Sequence, residues 1–183
     1  MIVAIDSETE LRLRALIGTR LLRMVGHRYP NPPLYDDVQL MTDDGAVTQL
    51  SLRSQDVGDK LEVFCFSARR LDAPVFSDAC DDLRPADFRI DQVLVCRRGE
   101  WLDSPETPFE GVGGNPEEQR IGVPDEAPPW TAHALVDAGV VFKDKRGSML
   151  FLQADAFPMV IQCHYSLASG QLACGEERDI ASH

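Results

Sequence analysis

Cys163 and His164 are neighbours inside Met159–Tyr165, a run whose β-branched and aromatic residues predict a strand. A thiolate nucleophile needs an imidazole close by to take its proton. Successive side chains on a strand point to opposite faces, so these two cannot serve each other. A Cys163 nucleophile would need His27 or His133 brought to it by the fold, and nothing in the sequence supplies the remaining roles of such a site. Carboxylates also come in groups, at Asp36-Asp37, at Asp43-Asp44 and at Asp78, Asp81 and Asp82. Oxygen ligands of that kind suit Mg²⁺ or Ca²⁺. None of the groups has the D-x-D-x-D-G spacing of a calcium loop, and the H-E-x-x-H pattern of zinc enzymes is missing. Aspartate favours turns because it bonds its own backbone and tolerates the left-handed conformation. The groups are read as turn aspartates, and no metal, no cofactor and no catalytic residue is expected.

Other reaction chemistries lack their local sequence. A serine hydrolase elbow would show G-x-S-x-G, and the chain has no such run; a Walker A loop and a dinucleotide G-x-G-x-x-G are also missing. Gly111-Val-Gly113-Gly114 comes nearest, but the Glu residues around it would repel a phosphate. The protein is therefore expected not to be an enzyme. Two alternatives stay open: a small enzyme built from scattered Cys, His and Asp residues, and an oligomeric adaptor that self-associates through exposed strand edges.

What the residues do supply is negative charge. Lys and Arg number 18 against 30 Asp and Glu, a net charge of −12 over 183 residues. That balance argues against a nucleic-acid backbone or an anionic membrane as the main partner. Between Leu102 and Pro129 lie Asp103, Glu106, Glu110, Glu117, Glu118, Asp125 and Glu126 against Arg120 alone, a local charge of −6; over 101–137 Asp137 joins them and makes it −7. The same stretch carries six Pro and four Gly residues, so little regular structure can form in it. A stiff acidic segment presents carboxylates to a basic protein surface at low ordering cost, steering association and selecting partners. These seven carboxylates are the expected partner-binding residues, with Trp101 and Trp130 as anchors at either end of the segment.

The positioning elements follow from periodicity. Ser7-Glu8-Thr9-Glu10 has the S-x-x-E form of a capping box and predicts a short helix ending at Gly18. Thr19–Tyr29 predicts a strand, stopped by Pro30, Pro32 and Pro33. Asp37–Arg53 alternates on both sides of Asp44-Gly45, as a type I′ hairpin requires. Leu61–Phe66 predicts a third strand, Pro74–Leu83 a helical turn or two, and Phe88–Arg98 a strand ending at Gly99. Val140–Leu152 holds two apolar runs around Lys145-Arg146-Gly147, a second hairpin that the strand at Met159–Tyr165 would extend. From Ala168 the tail is small, polar and acidic and is expected to fray. Phe64, Phe66, Phe142, Phe151 and Tyr165 are expected in the core, and Arg69-Arg70 and Arg97-Arg98 at solvated strand ends.

Together these elements predict an α+β fold, mainly antiparallel meanders with a short N-terminal helix, in one body or two lobes. The expected division is an N-terminal lobe over 1–101, a Pro/Gly-rich acidic loop or linker over 102–129, and a C-terminal hairpin lobe with an acidic tail over 130–183. The two hairpins suggest a degenerate internal repeat, with Asp44-Gly45 against Arg146-Gly147 and Leu50 and Leu52 against Leu150 and Leu152. Chance likeness of two hairpins is the other reading. Cys65, Cys80, Cys96, Cys163 and Cys174 are odd in number and contain no C-x-x-C pair, which predicts unbridged buried thiols rather than a zinc site or a disulfide framework. The opening residues lack a basic region ahead of an apolar run. No stretch approaches the ~20 apolar residues of a membrane span. A cytoplasmic location is expected.

In size, acidity, absence of reaction motifs and β-rich layout around Asp37–Phe66 and Val140–Tyr165, the chain resembles the cognate immunity proteins of interbacterial toxins. The resemblance is to the small cytosolic antidotes paired with nuclease-type effectors of the type VI secretion system. Those families share no signature motif, so no functional residue carries over. What the resemblance implies is non-enzymatic, tight binding to one toxin, by covering its active site or by blocking its assembly.

Overall fold

The computed structural model describes residues 2–28, 34–57, 61–75, 80–83, 87–102, 132–155, 160–166 and 176–181. Near the N-terminus, β1 (Ile2–Val3) precedes the one helix among the described residues, α1 (Ser7–Ala15). The N-cap is Asp6 rather than Ser7: Asp6 Oδ1 accepts from the Thr9 backbone N at 2.7 Å. A carboxylate one residue earlier therefore satisfies the orphan N–H that the capping box would have assigned to Ser7. Glu10 is then released for ion pairing with Arg14.

Two antiparallel meanders carry most of the chain. The first runs through β3 (Leu34–Thr42), β4 (Val47–Val57) and β5 (Leu61–Leu71), and the second through β9 (Ala132–Lys143), β10 (Met149–Asp155) and β11 (Val160–Ser166). Both first hairpins form where expected, but the turn is not type I′. Gly45 N donates to Thr42 O, and Thr42 N to Ala46 O, at 3.0 and 3.1 Å, and φ is +81° at Gly45 while Asp44 keeps a negative φ. This is a three-residue loop in which one left-handed glycine follows an ordinary turn. Asp44 Oδ1 serves it by accepting from Ala46 N and Thr42 Oγ1. The second hairpin repeats the device. Gly147 N donates to Asp144 O and Asp144 N to Ser148 O, with φ +83° at Gly147. With the two glycines superposed, Leu50 falls on Leu152, and Leu50, Leu52, Leu150 and Leu152 all face the core.

The remaining strands wrap around these meanders. β2 (Arg20–Arg28) forms as expected and pairs with β3. The segment expected to make a helical turn contains instead β6 (Cys80–Asp82), which adds to the outer edge of β2. An unpaired strand edge offers a row of hydrogen-bonding groups, and that outweighs a weak local helical tendency. The expected strand over Phe88–Arg98 is divided. β7 (Phe88–Arg89) pairs with β2, and after Ile90-Asp91 the chain changes partner, becoming β8 (Gln92–Leu102) against β9 and continuing through Gly99. This change of partner brings the β2 edge back towards β8. With β12 (Glu176–Asp179) at one end, the result is a curled half-barrel of strand order β12-β8-β9-β10-β11-β3-β2-β6, mostly antiparallel, with β1 alongside β9 as a parallel exception. β12 lies in the tail expected to fray; it pairs with β8, and Ile180 beside it is fully buried. Strands from both sides of 103–131 thus share one sheet.

The core lies inside the curl, where β5 packs against β9 and α1. Phe66, Phe88, Phe142, Leu13 and Leu152 are among its fully buried side chains. Tyr165, expected in the core, is instead exposed, with its ring edge-on to Phe88 at 6.4 Å. No helix among the described residues is long and apolar enough to cross a membrane.

Candidate functional site

The seven carboxylates expected to meet a partner, Asp103, Glu106, Glu110, Glu117, Glu118, Asp125 and Glu126, lie outside the described residues, as does Trp130. Their frame is described. β8 and β9 remain paired as far as Leu102 opposite Ala132, so the acidic segment leaves and re-enters the sheet on directly opposed residues of one hairpin. Trp101 stands opposite His133 on the rung before.

Asp137, which sequence groups with that acidic stretch, belongs to the interior. Its side chain is 1% exposed, and its Oδ1 accepts from Arg97 Nε at 2.8 Å. Oδ2 accepts from the Ile5 backbone N at 3.2 Å and lies 3.7 Å from Arg178. Arg178 donates to Glu10, which accepts in turn from Arg14. Arg97 is therefore a buried-network residue and not a solvated strand end, because a carboxylate withdrawn from water requires a cation beside it. The network joins β9, β8, β12 and α1, and its charges answer one another.

A second group lies on the outer face of the sheet. His27 on β2 stands directly opposite Asp37 on β3 and, on its other side, directly opposite Cys80 on β6. Opposed residues of antiparallel strands share a face with Cβ atoms about 4.5–5.5 Å apart. Asp37, His27 and Cys80 therefore form one row, which Ser51 on β4 extends beyond Asp37. Met24, Val38 and Leu40 alternate with these residues and fill the core, which puts the row outside. His27 Nδ1 is 3.8 Å from Asp37 Oδ2, with the imidazole 45% exposed. The other carboxylate oxygen, Asp37 Oδ1, is buried without a hydrogen-bond partner among the described residues.

Two devices set β6 against β2 and so place Cys80. On the outer face the Gln39 amide donates to Val75 O at 3.0 Å and accepts from Val75 N at 2.9 Å, pinning the chain that leads to β6. On the inner face Tyr35 Oη donates to Asp81 Oδ2 at 3.4 Å. The Tyr35 ring reaches that point by lying over Gly26, where a Cβ would run into the ring and come within 2.8 Å of Leu83 Cδ1. Leu83 N then donates to Met24 O at 2.8 Å, extending the contact beyond β6.

The pairing of Cys163 with His27 is not made. Cys163 packs against the core, where burial pushes its thiol up to about 12, while His27 lies on the outer face. His164 stacks on Phe151 at 6.0 Å. Asp43 and Asp44 are turn aspartates as read, since Asp43 Oδ1 accepts from Arg20 N across the end of the first hairpin. Asp36, Asp37, Asp81 and Asp82 are strand residues, a correction that follows from the pairing of β3 and β6 with β2; Asp78 lies outside the described residues. Among the described residues no group of three His, Cys, Asp or Glu side chains is arranged to hold a metal ion. Cys65, Cys80 and Cys163 are unbridged thiols, whereas Cys96 is disulfide-bonded, which corrects the expectation for that residue.

The register that creates the row was partly present in the sequence. His27 and Asp37 are equidistant from Pro32, the centre of the expected break between two strands. Cys80 carried no such signal, because its strand was read as helix. Comparison with protein-family models, with curated proteins and with solved structures finds no match to this chain.

Proposed function

We propose that this chain is a non-enzymatic antidote of the immunity-protein type, which binds a toxin through a basic surface on that toxin. The observation that carries the reading is the acidic segment's place in the sheet. A stretch of charge −6 is the connection of a hairpin whose two strands are paired to their last rung, at Leu102 and Ala132. Both ends of the segment are thus tied to adjacent strands of one sheet, at Leu102 and Ala132. Charge so placed accelerates encounter with a basic surface and discriminates among partners more than it adds affinity. Asp103, Glu106, Glu110, Glu117, Glu118, Asp125 and Glu126 are the partner-binding residues of this reading, and the α+β description of the fold goes with it.

The test is to look for a toxin-like reading frame adjacent to the gene and to co-express its product with this chain. Rescue of growth and a purified complex support the reading; absence of both overturns it. Within such a complex, reversing Glu117 and Glu118 to Lys should slow association, by about tenfold at low salt, and flatten its salt dependence, with the unfolding transition unchanged. An unaltered association rate would remove the acidic segment from the mechanism. The resemblance places such an antidote in the cytoplasm, whereas a disulfide at Cys96 favours an oxidising compartment. Location is therefore tested by itself.

A further inference from the structure

We propose that Cys80, His27 and Asp37 form a thiol-activating row, a covalent modification site for small electrophilic carbon compounds on the outer face of the sheet. The order of the three groups across adjacent strands carries the inference. Carboxylate, imidazole and thiol occupy β3, β2 and β6 on one rung, with the imidazole in the middle. A base must touch the proton that it removes and must itself be oriented by a third group. Here Asp37 Oδ2 is 3.8 Å from His27 Nδ1, and Cys80 stands opposite His27 on the strand at its other side. Contacts between a base and the groups around it are commonly long before a reaction partner arrives.

The carboxylate has a reason to hold the ring. Asp37 is 16% exposed, its Oδ1 lacks any hydrogen-bond donor among the described residues, and His27 is the cation-forming group against it. A buried carboxylate oxygen with no donor is costly, and a ring N–H turned towards it would satisfy that oxygen and orient the imidazole. By register, Cys80 stands opposite His27, and one rung along Val25 stands opposite Gln39 on β3 and Asp82 on β6. Gln39 is already engaged with Val75, so it does not compete for the imidazole.

The chemistry is a single displacement. The Cys80 proton passes to His27, the sulfur forms a bond to the electrophilic carbon, and the leaving group departs with its electron pair. With iodoacetamide as the probe, an S–C bond forms, the C–I bond breaks and iodide leaves. Of the unbridged thiols, Cys65 is fully buried, and Cys163, half-buried like Cys80, packs against the core on the inner face, away from the row.

Peptide-resolved alkylation of the full-length protein tests the row. At pH 7, native Cys80 should react several-fold faster than the same cysteine in the urea-unfolded chain, which requires no variant; a native rate at or below the unfolded one overturns the proposal. His27→Gln and Asp37→Asn should each slow Cys80 by about tenfold at pH 7. The deficit should vanish near pH 10, where a thiol ionises without help. A deficit that persists there would mean altered access, and no deficit at pH 7 would mean no activation; either result overturns the proposal. Labelling of Cys65 and Cys163 in the same digests reports whether a variant has kept its fold.

Discussion

Asp137 shows how much one side chain can decide. It is 1% exposed and supports Ile5 N, Arg97 and Arg178 together. Removing a buried carboxylate leaves its cations without compensation, and breaking such a pair from one side typically costs about 3–5 kcal/mol. Asp137→Ala should lower the urea midpoint by that amount of stability, and Asp137→Asn should lose less, because an amide oxygen can still accept from Ile5 N. Equal losses for the two would mean that the charge alone counts and the contact with Ile5 N contributes nothing. The sequence concealed this role. Composition assigned Asp137 to an acidic surface stretch and Arg97 to a strand end, and only the pairing of β8 with β9, 40 residues apart, brings them together. Cys80 was concealed in the same way, since its value depends on a rung made with His27.

At the scale of elements, local signals were good guides wherever an element and its partner were close in sequence. Both hairpins formed, and the alternation around Gly45 and Gly147 placed their inward leucines, although in the first turn one left-handed glycine replaced the expected pair of left-handed residues. The failures were β6 and β12, short strands whose existence depends on an edge supplied by β2 or β8, and the change of partner that divides β7 from β8. No window of sequence contains that edge. The helix illustrates a finer point, because its cap fell one residue earlier than its motif implied. Asp6→Ala should destabilise by about 1 kcal/mol, as loss of an N-cap does. The hydrogen bond from Thr9 N holds the Asp6 carboxyl below its ordinary value. A lowered folded value stabilises above the unfolded one, near 3.9, and is lost as pH falls through the folded value. Asp44 and Asp179, lowered chiefly by Thr42 and Gln92, act in the same direction. The difference between wild type and Asp6→Ala should therefore be constant above about pH 5 and shrink below pH 4, as acid titration of the unfolding midpoint would show.

For the whole molecule, a mainly antiparallel sheet with one short helix was legible early, as was the net charge, while the joining of the two halves into one sheet was not. Pairings such as Ile2 with Leu135 and Ile161 with Tyr35 connect residues over a hundred positions apart. The compartment also belongs to this scale. If the Cys96 disulfide forms in the cell, acid-quenched, unfolded protein should take up alkylating agent at three of its five cysteines. Labelling of all five would return the chain to a reducing compartment.

The pairing of β8 with β9 has one more consequence. Among the described residues the pairings that join the halves, β1 on β9, β8 on β9, β12 on β8 and β11 on β3, all lie outside 103–131. A protease that cut within that connection would divide the polypeptide without dividing the sheet. The two pieces would behave as a split protein, held together by backbone ladders and a shared core, and able to reassemble after separation.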